Sequence, residues 1–221
     1  YELSNKCWGF FHENVANNNV TLFDTCQYNI NNPQKPTGGN KHIGSTLLTL
    51  DVDANNSKDL VLGDVSFNNF MLLTNTDTSP NLDHSSMTQK DSLFPKNNNT
   101  TIPAQIEVFP AGFYLDVNND SVKDLIASTF CNSGCNNNNN VWYYKNNGAS
   151  NLPDFSYETD AFIQSSMIDI GEGAHPVFFD YNADGLLDLI VSNYGEYDAS
   201  STLFYQAGLW LYENVGTANT P

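Results

Sequence analysis

The chain has 221 residues, 40% of them hydrophobic and 13% aromatic, enough for one large domain or two small ones with a sizeable core. It carries 25 acidic against 8 basic residues, no arginine and a formal net charge of -17, which argues against nucleic acid or an anionic membrane as partner, since phosphate binding needs clustered Lys and Arg. No apolar stretch reaches the ~18 residues of a membrane-spanning helix, so no membrane insertion is expected, and Tyr1-Glu2-Leu3-Ser4 is not a signal peptide.

Aromatic and β-branched residues favour strands, and asparagine runs at 17–19, 97–99 and 136–140 suit turns. Residues 1–42 align poorly with the rest of the chain and read as an N-terminal segment or the remains of an earlier unit. From residue 43 a repeat begins. The first unit, 43–108, has an apolar run Leu47–Leu50, an acidic loop from Asp51 to Asp59, a strand from Leu60 and a third strand Phe70–Asn75. A long polar insert then runs from Thr74 to Thr101, and Gln105–Phe109 reads as a further strand.

The second unit, 109–173, repeats this as Phe113–Leu115, an acidic loop from Asp116 to Asp124, a strand from Leu125, an insert Phe130–Asn140 and a strand Val141–Asn146. The third, 174–221, has Val177–Phe179, a loop from Asp180 to Asp188, a strand from Leu189 and a strand Leu209–Asn214, and it lacks a fourth strand. The loops start 65 and 64 residues apart. Four short strands per unit at this period read as blades of an all-β propeller. About three blades are present, the last incomplete, so they are expected to belong to a larger ring.

Four cysteines permit two disulfides, with Cys131–Cys135 as a local bridge and Cys7–Cys26 as the second pair. Free thiols and zinc are the alternatives, and zinc is the weaker because no matching His or Cys partners stand at metal spacing. Disulfides would fit an oxidising, extracellular setting.

Oxygen donors recur at loop positions one, three, five and nine: Asp51, Asp53, Asn55 and Asp59; Asp116, Asn118, Asp120 and Asp124; Asp180, Asn182, Asp184 and Asp188. A backbone carbonyl at position seven, from Ser57, Val122 and Leu186, would complete the set. Calcium takes about six to eight oxygens in flexible geometry, which this alternation suits better than it suits magnesium. About three ions are expected, and they would bring the formal charge from -17 to -11. The loops are not EF-hands, because position twelve is Leu62, Ala127 or Val191 and strand formers come next. The competing reading is a set of solvated Asx turns without metal. Only Gly185 supplies the glycine that eases the turn at position six; Asn56 and Ser121 replace it, so the second loop is expected to be the most strained or the weakest binder.

At these residues the sequence resembles the FG-GAP/VCBS repeat family, whose blades carry an Asp-x-Asp-x-Asp-Gly-x-x-Asp loop before an aliphatic strand. The third unit matches best, from Gly171 through Asp180 to Asn214-Val215-Gly216-Thr217, and the likeness runs from about residue 43 to the end. The large secreted members in Bacteroidetes, which it is similar to, imply a secreted or cell-surface protein handled by type IX secretion machinery. The same resemblance implies O-glycosylation at Asp-Ser/Thr-apolar sequences, of which Asp91-Ser92-Leu93, Asp24-Thr25-Cys26 and Asp120-Ser121-Val122 are examples. The repeat speaks for fold and is silent on function.

His12, His42, His84 and His175 are scattered, and no nucleophile or acid/base constellation stands near them. No catalytic role is expected. A binding role fits better, adhesion or recognition of surface glycans or proteins, with long inserts presented from a rigid scaffold. Trp142, Tyr143, Tyr197, Tyr205 and Trp210 could stack on sugars, although packing between blades is the favoured role for each. The alternatives are a non-catalytic propeller module of a larger secreted polysaccharide-degrading enzyme and, less favoured, a catalytic propeller.

Overall fold

The structure, a computed structural model, describes residues 8–14, 17–26, 44–77, 85–96, 101–130, 139–197 and 205–220. They fall into two compact units, one drawn from residues 1–131 and 140–162, the other from 132–139 and 163–221. The regular structure is almost wholly antiparallel β.

In the first unit, strands β1 (Phe11–Glu13) and β2 (Val20–Leu22) form a hairpin. A four-stranded meander comes next: β3 (Ser45–Leu50), β4 (Asp59–Asp64), β5 (Phe70–Asn75) and β6 (Met87–Phe94). A second meander has the same order: β7 (Pro110–Leu115), β8 (Asp124–Thr129), β9 (Val141–Asn146) and β10 (Phe155–Thr159).

The two sheets share a core, because residues opposite one another across a ladder lie on one face. Leu48, Val61 and Leu72 are such a set in the first sheet. They pack with Leu50 and Phe70 against Leu125, Ala127, Tyr144 and Phe155 of the second. The opposite face of the first sheet, through Leu60, Leu62, Met71 and Leu73, is covered by Trp8, Phe11, Val20 and Leu22 of the N-terminal segment. Burial on both faces explains why β4 is almost continuously apolar rather than alternating. The sheets meet at backbone distance: a Cβ on Gly63 would lie 1.8 Å from the Pro110 carbonyl oxygen, which accepts a hydrogen bond from Thr46 Oγ1.

The second unit holds a three-stranded sheet, β11 (His175–Phe179), β12 (Asp188–Ser192) and, as its third strand, β15 (Leu209–Tyr212). The hairpin β13 (Glu196–Tyr197) and β14 (Tyr205–Gln206) is inserted between β12 and β15. Both faces of the three-stranded sheet carry exposed apolar side chains, among them Phe178, Val177 and Leu209.

The structure corrects two sequence readings. The fourth strand of the first sheet is β6, which lies inside the segment read as a polar insert, so Asp91-Ser92-Leu93 sits on a strand. Residues 105–109 do not form a strand: Gln105 makes one isolated bridge to Asn69, Ile106 is a buried loop residue, and Phe109 bends at φ 47°. The cause is visible in β6, which buries only its ends, Met87 and Phe94, and exposes a polar middle. Its ladder with β5 also shifts register twice, which erases the period-two signal.

Cys26 is disulfide-bonded. The pairings expected of Cys7 with Cys26 and of Cys131 with Cys135 involve residues outside those described, as do His42 and His84.

Candidate metal centre

Each acidic loop joins the first two strands of a sheet. Its position-nine aspartate is the first residue of the returning strand: Asp59 on β4, Asp124 on β8 and Asp188 on β12. All three are fully buried. A carboxylate in that position must be hydrogen-bonded, and each is, in the same way. One oxygen accepts the N–H of the asparagine that follows or ends the third strand, from Asn75 at 2.7 Å, Asn146 at 2.9 Å and Asn214 at 2.8 Å. The other accepts the N–H of loop position two, from Val52 at 2.7 Å, Val117 at 3.4 Å and Tyr181 at 2.8 Å.

The rest of the loop wraps around its own side chains. Position one accepts the position-six N–H, from Asn56 to Asp51, Ser121 to Asp116 and Gly185 to Asp180. Position five accepts the position-seven N–H: Ser57 to Asn55 at 2.7 Å, Val122 to Asp120 at 2.8 Å and Leu186 to Asp184 at 2.8 Å. In the second and third copies, position three, Asn118 and Asn182, also accepts from position five. In the first, Asp53 accepts from the Asn55 backbone and side chain. All fifteen predicted donor residues therefore lie in three loops built alike.

Such a wrap needs two left-handed residues. Position six is left-handed in every copy, at φ 69° for Asn56, 71° for Ser121 and 86° for Gly185. Position four is left-handed as well, at Ala54, Asn119 and Ala183, which the sequence reading missed. Ser121 is the position-six residue with neither the glycine nor the asparagine tolerance for this region.

The copies differ in their surroundings. Around the first loop, Leu50 is buried and Val52 packs against the shared core, so Asp51 between them is only 4% exposed. Its Oδ1 is buried without a hydrogen-bond partner. Carboxylate oxygens of Asp51, Asp53 and Asp59 lie within 4.8 Å of one another. That is close enough for one ion to bridge them, given metal–oxygen distances of about 2.3–2.6 Å for calcium. Among the described residues no other trio of acidic, His or Cys side chains is gathered so closely. Burial, then the Asp53 and Asp51 charges, push the Asp59 carboxyl above the ordinary carboxylate range, against the lowering pull of the Asn75 and Val52 N–H groups. In the second and third loops Asp116 and Asp180 are exposed, and both oxygens of each accept backbone N–H groups.

Residues 116–191, from the second acidic loop through the third, match the family model of the FG-GAP-like repeat. With the all-β sheets, this supports an FG-GAP repeat protein. Comparison with curated proteins and with solved structures found no match. The structure adds a partner residue to the aspartates of each loop. Asn75, Asn146 and Asn214 are buried, and each turns its Nδ2 onto the position-eight carbonyl, of Lys58, Lys123 and Leu187. Each Oδ1 accepts the N–H two residues on, from Asp77, Gly148 and Gly216. The signal for this clamp was an asparagine closing the third strand of every unit.

Of the aromatics weighed as sugar platforms, Trp142 packs with Tyr144 and Tyr157, and Tyr143 lies against Phe162. Tyr114, from β7, reaches into the second clamp. Its hydroxyl donates to the Ser150 carbonyl and accepts from Asn146 Nδ2. Burial pushes its pKa up to about 12; the Asn146 hydrogen bond lowers it, and the charges of Asp124 and Asp51 add to the rise.

Proposed function

We propose that this chain is a calcium-stabilised module of β-propeller type that works outside the cell as a binding scaffold, with adhesion to glycans or proteins as its task. One observation carries the cation reading: Asp51 Oδ1 is buried and unpartnered beside the Asp53 and Asp59 carboxylates. A buried charge without a partner is costly, and a coordinated cation is the ordinary remedy. Calcium suits the site better than magnesium because the donors are many, short and irregularly placed. The extracellular setting is supported by the disulfide at Cys26.

The binding role is supported by the layout of the sheets. In an antiparallel meander, the first connection and the second lie at opposite ends. The acidic loops occupy the first connection, so the second is free to vary, and in the third copy it holds the β13–β14 hairpin. Loops that vary on a rigid scaffold are where recognition concentrates.

The direct test is a thermal melt with and without EDTA. An ion held at a hundred times its Kd adds about 2.7 kcal/mol to the folded state, so chelation should lower the melting temperature and calcium should restore it. No change on chelation would refute the cation reading. A glycan array probed with and without calcium tests the scaffold role, and binding absent under both conditions counts against a glycan partner.

A further inference from the structure

We infer that the three loops are not equivalent: the first is an interior site that takes its cation tightest, and the second and third are surface sites that fill after it. This rests on the cation reading above and adds a rank order to it. The composition of the loops does not set that order, because each contains three aspartates. Their burial does.

Asp51 is 4% exposed, whereas Asp116 and Asp180 are exposed. The difference comes from the residue ahead of each aspartate. Leu50 lies in the core shared by the first two sheets; its counterparts Leu115 and Phe179 are 44% and 39% exposed. Asp51 therefore leaves water when the sheets pack, and its Oδ1 finds no donor in exchange. The exposed aspartates keep water, and their oxygens are already held by backbone N–H groups of their own loops.

A cation entering the first loop meets two carboxylates already stripped of water, Asp51 and Asp59, the first with a free oxygen. At the other two only the position-nine carboxylate is buried, so the cation must displace water from the exposed carboxylates of Asp116 and Asp120 or of Asp180 and Asp184 and compete with hydrogen bonds already made. The difference between filled and empty states is accordingly largest at the first loop. The same burial makes that ion part of the packing between the first two sheets, so its removal should loosen them before the outer sites matter.

The test is a calcium titration of the chelator-stripped 221-residue chain by calorimetry, with Asp51→Asn, Asp53→Asn, Asp116→Asn and Asp180→Asn compared with the parent. The parent is expected to show one tight step and a weaker phase. Asp51→Asn and Asp53→Asn should each weaken the tight step by about tenfold or more, since ligand charge sets affinity. Asp116→Asn and Asp180→Asn should leave the tight step in place and erode the weak phase. Asp53 is exposed, so its variant tests the site even if Asp51→Asn fails to fold. A second readout separates ligation from simple damage: in EDTA, Asp51→Asn should melt no lower than the parent, because it removes an uncompensated buried charge, while in calcium it should melt lower. Loss of the tight step in Asp116→Asn or Asp180→Asn, or its persistence in both Asp51→Asn and Asp53→Asn, overturns the rank order and leaves the cation reading standing. A parent chain that takes up no calcium at all overturns both.

Discussion

Replacing Asn146 by alanine tests whether the asparagine clamp holds the acidic loop to the sheet. Its Nδ2 donates to the Lys123 carbonyl at 2.9 Å, the Ala149 carbonyl at 3.2 Å and the Tyr114 hydroxyl at 3.2 Å. Its Oδ1 accepts from the N–H groups of Gly148 and Asp154, both at 2.9 Å. A net hydrogen bond contributes roughly 1 kcal/mol. Some of the orphaned groups lie at the exposed turn and regain water, so a loss of about 3 kcal/mol is expected rather than the full sum. For a chain of this size each kcal/mol corresponds to about 2–4 °C, which places the melting temperature lower by roughly 6–12 °C. Asn75 is the internal control, because it belongs to the same compact unit and its side chain makes one long bond to Lys58 and one to the Asp77 N–H. Urea unfolding in EDTA, followed by tryptophan fluorescence, should rank Asn146→Ala as clearly worse than Asn75→Ala. Equal losses, or a larger one for Asn75→Ala, would show that the side-chain bonds do not carry the clamp.

Three further outcomes are expected. Ser121→Gly should stabilise the chelated protein by about 1 kcal/mol, because Ser121 sits at φ 71° where glycine meets no Cβ penalty; urea unfolding should show a smaller gain for Asn56→Gly. Gly63→Ala should cost roughly 3 kcal/mol or more, since the new Cβ would lie 1.8 Å from the Pro110 carbonyl oxygen and the sheets would have to part. Gly112→Ala, whose nearest neighbour is a Leu48 methyl at 3.1 Å, should cost much less in the same assay. Burial holds the Asp59 carboxyl above its unfolded value, so its protonation favours the folded state. In EDTA that contribution is fully present below the ordinary aspartate value of about 3.9 and is lost as pH rises through the folded value. The stability difference between the parent and Asp59→Asn should therefore change over that window, and a flat difference between about pH 7 and pH 4 would contradict the raised value.

The repeat was legible because it is written in short-range chemistry. Aspartates at fixed loop spacing, followed by Leu60, Leu125 and Leu189, locate two strands and the turn between them without any tertiary information. The same holds for the third strand, whose closing asparagine was visible though its role as a clamp was not. That role needs Asp124 and Asn146 side by side, a contact across 22 residues. The fourth strand of the first sheet was not legible, since Thr88, Gln89, Lys90 and Ser92 are set by solvent rather than by a core. Nor was the burial of Asp51, which depends on a second sheet closing over Leu50 and Val52. The left-handed turns at Ala54 and Ala183 escaped because alanine gives no hint of that conformation, and the loop imposes it.

The bond between the position-nine aspartate and the clamp asparagine spans 16, 22 and 26 residues in the three copies, yet its geometry barely changes. The added length is absorbed at the far end of each sheet, where the third copy accommodates a whole extra hairpin. The repeat thus separates a fixed-geometry end from a length-tolerant end. An engineered insertion between the second and third strands should be accepted without disturbing the acidic loop, so that new recognition surface can be added by lengthening the chain there, with no redesign of the sheet beneath it.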